Sequence, residues 1–176
     1  MSIFGTGKNN NFEPEIVTLS EPIKATGLTI KTDIKNIFCD VTKITKTYMS
    51  YKNKYGIPNQ KKSWEYVSLS DHFDENKAWN YSTGHVVTDI DSDIPEVFIS
   101  FEIPAGTYAV FPIRPKSKLL LGLTIGKTKQ YIYNNWLLKS KYEFAGYEFE
   151  YNNEKMCQES PTYIDLYVGI KEKNQG

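Results

Sequence analysis

The chain has 176 residues, 40% of them hydrophobic, with 21 basic and 21 acidic side chains and a formal net charge of zero. That length suits one globular domain burying roughly two-thirds of its unfolded surface, and the balanced charge supplies no global field for a polyanion, so direct nucleic-acid binding is not expected. No apolar run approaches the ~18 residues of a membrane span, the opening Met1 to Asn11 lacks a secretory pattern, and two cysteines are too few for a disulfide framework. The expected setting is the cytoplasm, with reduced thiols. Aromatics are the unusual component: 13 Tyr, 9 Phe and 3 Trp, more phenol than a minimal core requires, since each buried hydroxyl needs a partner.

Residues 1–13 are polar and are expected to be disordered, leaving 14–173 as a single domain. Glu15 to Leu19 and Ala25 to Lys31 read as extended pieces divided by Glu21-Pro22. From Ile34 the period changes: Ile34, Ile37, Phe38, Val41, Ile44, Tyr48, Tyr51 and Tyr55 recur at helical spacing, with Asp33 as N-cap and Gly56 followed by Pro58 at the end. Cys39 falls within this helix and is expected to be a small buried hydrophobe. Trp64 to Phe73 and Trp79 to Thr88 follow as strands.

The order then repeats. Glu96 to Ile103 and Tyr108 to Ile113 are strands around Pro104-Ala105-Gly106. A helical stretch from near Ser117 carries Leu121, Ile125, Thr128, Ile132 and Trp136 on one stripe, with Gly122 and Gly126 weakening it. Glu143 to Tyr151 and Thr162 to Ile170 close the chain as strands. The expected fold is α+β, with two pseudo-symmetric strand-helix-strand-strand modules, about 14–90 and 94–173, whose antiparallel sheet surrounds a central ligand cavity.

Within the last two strands, Tyr147, Phe149 and Tyr151 share one face and Glu148 and Glu150 the other. In the final strand Ile164, Leu166, Val168 and Ile170 oppose Tyr163, Asp165 and Tyr167. A hairpin pairing like with like places both glutamates beside tyrosines, on a surface suited to a flat cation. His72 and His85 lie on separate strands without metal-ligand spacing, Ser140 and Ser160 lack a nucleophile motif, and no glycine-rich phosphate loop follows a strand. No cofactor is expected.

The segments Ile103-Pro104-Ala105-Gly106-Thr107-Tyr108-Ala109-Val110-Phe111, Trp136-Leu137-Leu138-Lys139-Ser140-Lys141-Tyr142, Phe149-Glu150 and Ile164-Asp165-Leu166-Tyr167-Val168 together resemble the GyrI-like effector-binding domain family, which includes ligand domains of AraC-type and MerR-type multidrug regulators. Leu138 stands where the family has Pro, and Lys141 where it has Gly. The resemblance implies a central hydrophobic cavity with a carboxylate, Glu150 by motif, that meets flat cations. Tyr108 and Trp136 sit in the best-matched motifs, Tyr163 and Tyr167 on the polar face of the last strand, and Tyr66 and Tyr81 are the first-half counterparts; all are candidate cavity walls.

Only residues 1–14 precede the first strand, so the expectation is a stand-alone ligand domain for hydrophobic, often cationic small molecules, used for sensing or sequestration in transcription regulation or drug resistance. Any DNA contact would come from a protein partner. The resemblance carries two alternatives: a hydrolase of cyclopropane-bearing toxins using the same cavity, and a protein that inhibits DNA gyrase.

Overall fold

A computed structural model describes residues 13–90, 93–152, 154 and 164–173. Cys157, Tyr163 and nearly all of the N-terminal segment lie outside them. The described elements run β1 (Glu15–Leu19), β2 (Ile23–Asp33), α1 (Ile37–Tyr55), β3 (Tyr66–Asp71), β4 (Ala78–Val86), β5 (Ile99–Ile103), β6 (Gly106–Ile113), α2 (Leu121–Tyr131), β7 (Tyr142–Asn152) and β8 (Ile164–Glu172). The repeat is therefore β2-α1-β3-β4 followed by β6-α2-β7-β8, the expected α+β architecture. All pairings are antiparallel, in one sheet of order β1-β6-β8-β7-β3-β4-β2-β5. Among the described residues no helix is long and apolar enough to cross a membrane.

Chain connectivity makes this sheet curl. β1 and β2 lie near opposite ends of the strand order yet are joined by residues 20–22 alone, and β5 and β6 by residues 104–105. The two ends must therefore approach each other. The inner face holds Ala25, Val67, Leu69, Val86, Ile103, Tyr108 and Phe149, with Tyr147, Tyr151 and Tyr167 packed against them. At the tightest approach β2 and β4 cross at Gly27 and Gly84, where an added Cβ would stand 1.9 Å from Thr83 O and 2.2 Å from Thr26 O respectively. No residue with a side chain fits there.

The outer face carries both helices. α2 covers the β6–β8 half, closing Phe111, Ile113, Leu166, Val168 and Ile170 under Ile132, Trp136 and Leu137; each fully buried aliphatic contributes about 1.5–3 kcal/mol. After Tyr131 the helix widens into a π turn over Ile132–Trp136 before its last turn, Leu137–Lys139. Leu138, at the position of the family's proline, points outward at 71% exposure. The following turn is held by the Tyr142 N–H donating to Ser140 Oγ and by Lys173 Nζ donating to the carbonyls of Leu137 and Ser140.

α1 covers the β2–β4 half. Its anchor is Tyr48, fully buried. The Tyr48 hydroxyl accepts from the backbone N–H of His85 at 3.1 Å and lies 2.7 Å from His85 Nδ1. His85 Nε2 stands 2.8 Å from Lys52 Nζ and 3.1 Å from Ser63 O, so the ring is held through both of its nitrogens.

Four details of this half differ from the sequence reading. α1 begins at Ile37 with Asn36 as N-cap, and Asp33 instead accepts the N–H groups of Lys35 and Asn36 in the preceding turn. Ile34 therefore precedes the helix at 70% exposure, and Phe38 is 64% exposed because it reaches sideways. Its ring covers Gly122 of α2, where a Cβ would sit 2.8 Å from Phe38 Cε1. Cys39 is exposed, not buried, because it sits beyond the Ile44–Tyr48 stripe.

Candidate functional site

The sheet's two middle strands, β3 and β7, lie between the two helices. In antiparallel register, residues directly opposite share a face. Glu150 stands between Ser68 of β3 and Leu166 of β8, and Glu148 between Ser70 and Val168. One strand further, Ser68 faces Thr83 and Ser70 faces Tyr81. The outer face thus has a polar floor of Ser68, Ser70, Tyr81, Thr83, Glu148 and Glu150, with α1 and α2 as walls and the Phe38–Gly122 contact joining them.

On the α1 side the hydroxyls form a chain. Thr83 Oγ1 donates to the Tyr66 hydroxyl at 2.5 Å and lies 2.9 Å from Ser68 Oγ. Burial, together with the negative charge of Glu150, raises the Tyr66 and Tyr81 phenols above their ordinary range, so both remain neutral donors. On the α2 side, Lys129 and Tyr133 are one helical turn apart and project from the same surface. Lys129 Nζ pairs with Glu148 Oε1 at 2.6 Å, and the Tyr133 hydroxyl donates to Glu148 Oε2. Both oxygens of buried Glu148 are therefore occupied.

Glu150 differs. Among the described residues it has no hydrogen bond or ion pair, and it is part-exposed. Its strand position sets it on the floor between the two helices. Loss of solvent raises it above the usual carboxylate range; Lys129 pulls the other way and Glu148 adds to the rise. Burial works against the charge of Lys129, but Glu148 and Glu150 outweigh it and hold the ammonium above its ordinary value. The floor therefore holds two carboxylates and one fixed cation, and among the described residues only one of the carboxylates is paired. Among the described residues no group of three or more His, Cys, Asp or Glu is arranged to hold a metal.

Of the residues singled out from sequence, the structure brings Glu150, Tyr66 and Tyr81 together and separates the others. The β7–β8 register pairs Phe149 with Tyr167 and Tyr151 with Asp165. Tyr167 therefore stacks on Phe149 at 4.5 Å, on the inner face, and Tyr108 lies there with them. This overturns the expectation that the glutamates share a surface with Tyr167: the tyrosine face of β8 is the inside of the curl, and the glutamates stand over its aliphatic face. Trp136 is on the outer face but packs edge-on to Phe111 in the α2 core. Tyr163 lies outside the described residues.

Lys129 and Tyr133 were not foreseen, although Gly122, Gly126, Lys129 and Tyr133 recur at four-, three- and four-residue spacing on one helix face. A separate groove of about 370 Å³ between α1 and β2, lined by Leu28, Ile30, Lys43, Ile44 and Tyr51 among others, includes none of the floor residues.

A family model described as Cass2, integron-associated effector binding protein, matches residues 15–170. Among curated proteins none matches the chain. Solved structures share the fold, among them the following three. An integron cassette protein from the mobile metagenome of Vibrio cholerae, VCH_CASS2, has 10% identity and a TM-score of 0.57, over 90% of this chain and 96% of that one. A putative transcription regulation protein from Staphylococcus aureus has 11% identity and a TM-score of 0.65, over 92% and 99%. SAV2435, solved bound to tetraphenylphosphonium, has 11% identity and a TM-score of 0.65, over 90% and 94%.

Proposed function

Since the chain belongs to the Cass2 family of integron-associated effector binding proteins, we propose that it binds hydrophobic, cationic small molecules between α1 and α2, with Glu150 as counter-charge. Binding of this kind serves sensing or sequestration, in transcription regulation or drug resistance. One observation carries the reading: among the described residues Glu150 has no partner, and it stands on a floor of hydroxyls and phenols between the helices, where loss of solvent raises its carboxyl above the usual range. An anion placed there pays for lost water until a cation restores its balance. The phenol rings of Tyr66 and Tyr81 add roughly 0.5–2 kcal/mol each where they meet the cation's face. With apolar burial this supports affinities of about 1 μM, near −8 kcal/mol. SAV2435, of the same fold, holds a lipophilic cation, which supports the choice of probe.

The test is calorimetric titration of wild type and Glu150→Gln with tetraphenylphosphonium between pH 4 and pH 8, with the ligand's mass checked after incubation. Wild type is expected to bind at one saturable site, more weakly as falling pH protonates Glu150. The glutamine variant is expected to bind about tenfold or more weakly, since one lost charge interaction of ~1.4 kcal/mol is a factor of ten, and to lose the pH dependence. Ligand mass stays unchanged. Equal affinity in the two proteins would remove Glu150 from the site, and ligand turnover would replace binding by chemistry.

A further inference from the structure

Resting on that reading, we infer that Lys129 sets the charge class of the ligand: held against Glu148 within the cleft, it leaves one free carboxylate and so restricts the site to singly charged cations. Three observations lead there. Glu148 and Glu150 are two residues apart on one strand and face the same way, about 7 Å apart along β7. Without a third charge, that spacing presents two anions to a guest with two positive centres. Lys129 removes one of them. Its ammonium stands 2.6 Å from Glu148 Oε1 while Tyr133 occupies the other oxygen. The ammonium is also held near Glu150, whose charge it feels.

A monocation therefore completes a site with two negative and two positive charges. A dication leaves one positive charge in excess between the helices. It also meets Lys129 as a like charge. Gly126, about one turn before Lys129, has nothing within 4 Å of where a Cβ would stand, whereas the Phe38 ring fills that space at Gly122; beside the lysine the restriction therefore comes from charge rather than from a wall.

Ethidium and propidium test this, because they share one planar ring system and propidium carries a second, quaternary ammonium on its side chain. Dye fluorescence gives both affinities for wild type, Lys129→Met and Lys129→Arg, with circular dichroism confirming the fold. Wild type and Lys129→Arg are expected to bind ethidium at least tenfold more tightly than propidium. Lys129→Met is expected to close or reverse that ratio, chiefly by tightening propidium. Propidium binding wild type as well as ethidium does overturns the inference, and so does an unchanged ratio in a folded Lys129→Met. If Lys129→Met does not fold, the wild-type ratio alone decides. Failure of wild type to bind tetraphenylphosphonium or either dye would instead remove the cation site itself.

Discussion

At the scale of single residues, the pairing of each side chain decides its role. Glu148 and Glu150 look equivalent in sequence, with the same strand, the same parity and the same face. One is consumed by Lys129 and Tyr133, and the other has no partner among the described residues. His85 shows the same logic in a structural setting. Burial, and then the charge of Lys52, push it down to about 4, against the opposing bond to Ser63 O. Its pKa in the unfolded chain is near 6.5. Because the folded value is the lower, the unfolded chain takes up the proton first. Stability is therefore complete above pH 6.5 and falls between pH 6.5 and about 4, by on the order of 1–3 kcal/mol. Urea midpoints measured across that range are expected to drop with pH in wild type and to flatten there in His85→Gln. A wild-type midpoint independent of pH in that window would contradict the assignment.

At the scale of elements, both helices and most strands were legible because their periods are strong: Ile44 and Tyr48 in α1, Ile132 and Trp136 beyond α2, and Ile164 to Ile170 in β8 all bury as their spacing requires. The faces of β8 were not legible. Hydropathy assigns the polar side to water, but in a curled sheet with helices outside both faces are enclosed, and Tyr167 and Phe149 fill the inside. The β3–β7 pairing, which joins residues some 80 positions apart, supplies the hydroxyl floor and leaves no local trace in the chain.

Glycine positions can now be separated by role. Gly84→Ala would force its Cβ to 2.2 Å from Thr26 O, a backbone atom that cannot step aside. The expected loss is about 3 kcal/mol or more, read from chemical denaturation. Gly126→Ala meets nothing within 4 Å on α2 and is expected to gain about 0.5–1 kcal/mol from helix propensity. Equal effects at the two positions would be inconsistent with the close crossing of β2 and β4.

At the scale of the whole molecule, the site draws on both modules: Ser68, Tyr81 and Thr83 from the first, Lys129, Tyr133 and Glu150 from the second. A guest that binds only the assembled floor stabilises the entire fold by mass action. Tetraphenylphosphonium at 100 times its Kd is expected to add about 2.7 kcal/mol, raising Tm by roughly 5–10 °C for a chain of this size. A scan showing no shift at a concentration that saturates binding would mean that the unfolded chain binds equally well, or that the guest sits elsewhere.

Ser68 and Glu150 face each other across the β3–β7 ladder, so the surface proposed for recognition belongs to neither module. It comes into being when two strands far apart in the chain zip together. Lesions that loosen that zipper, even at residues remote from any guest, would blunt recognition before they unfold the protein, and neither half expressed alone would inherit a working receptor.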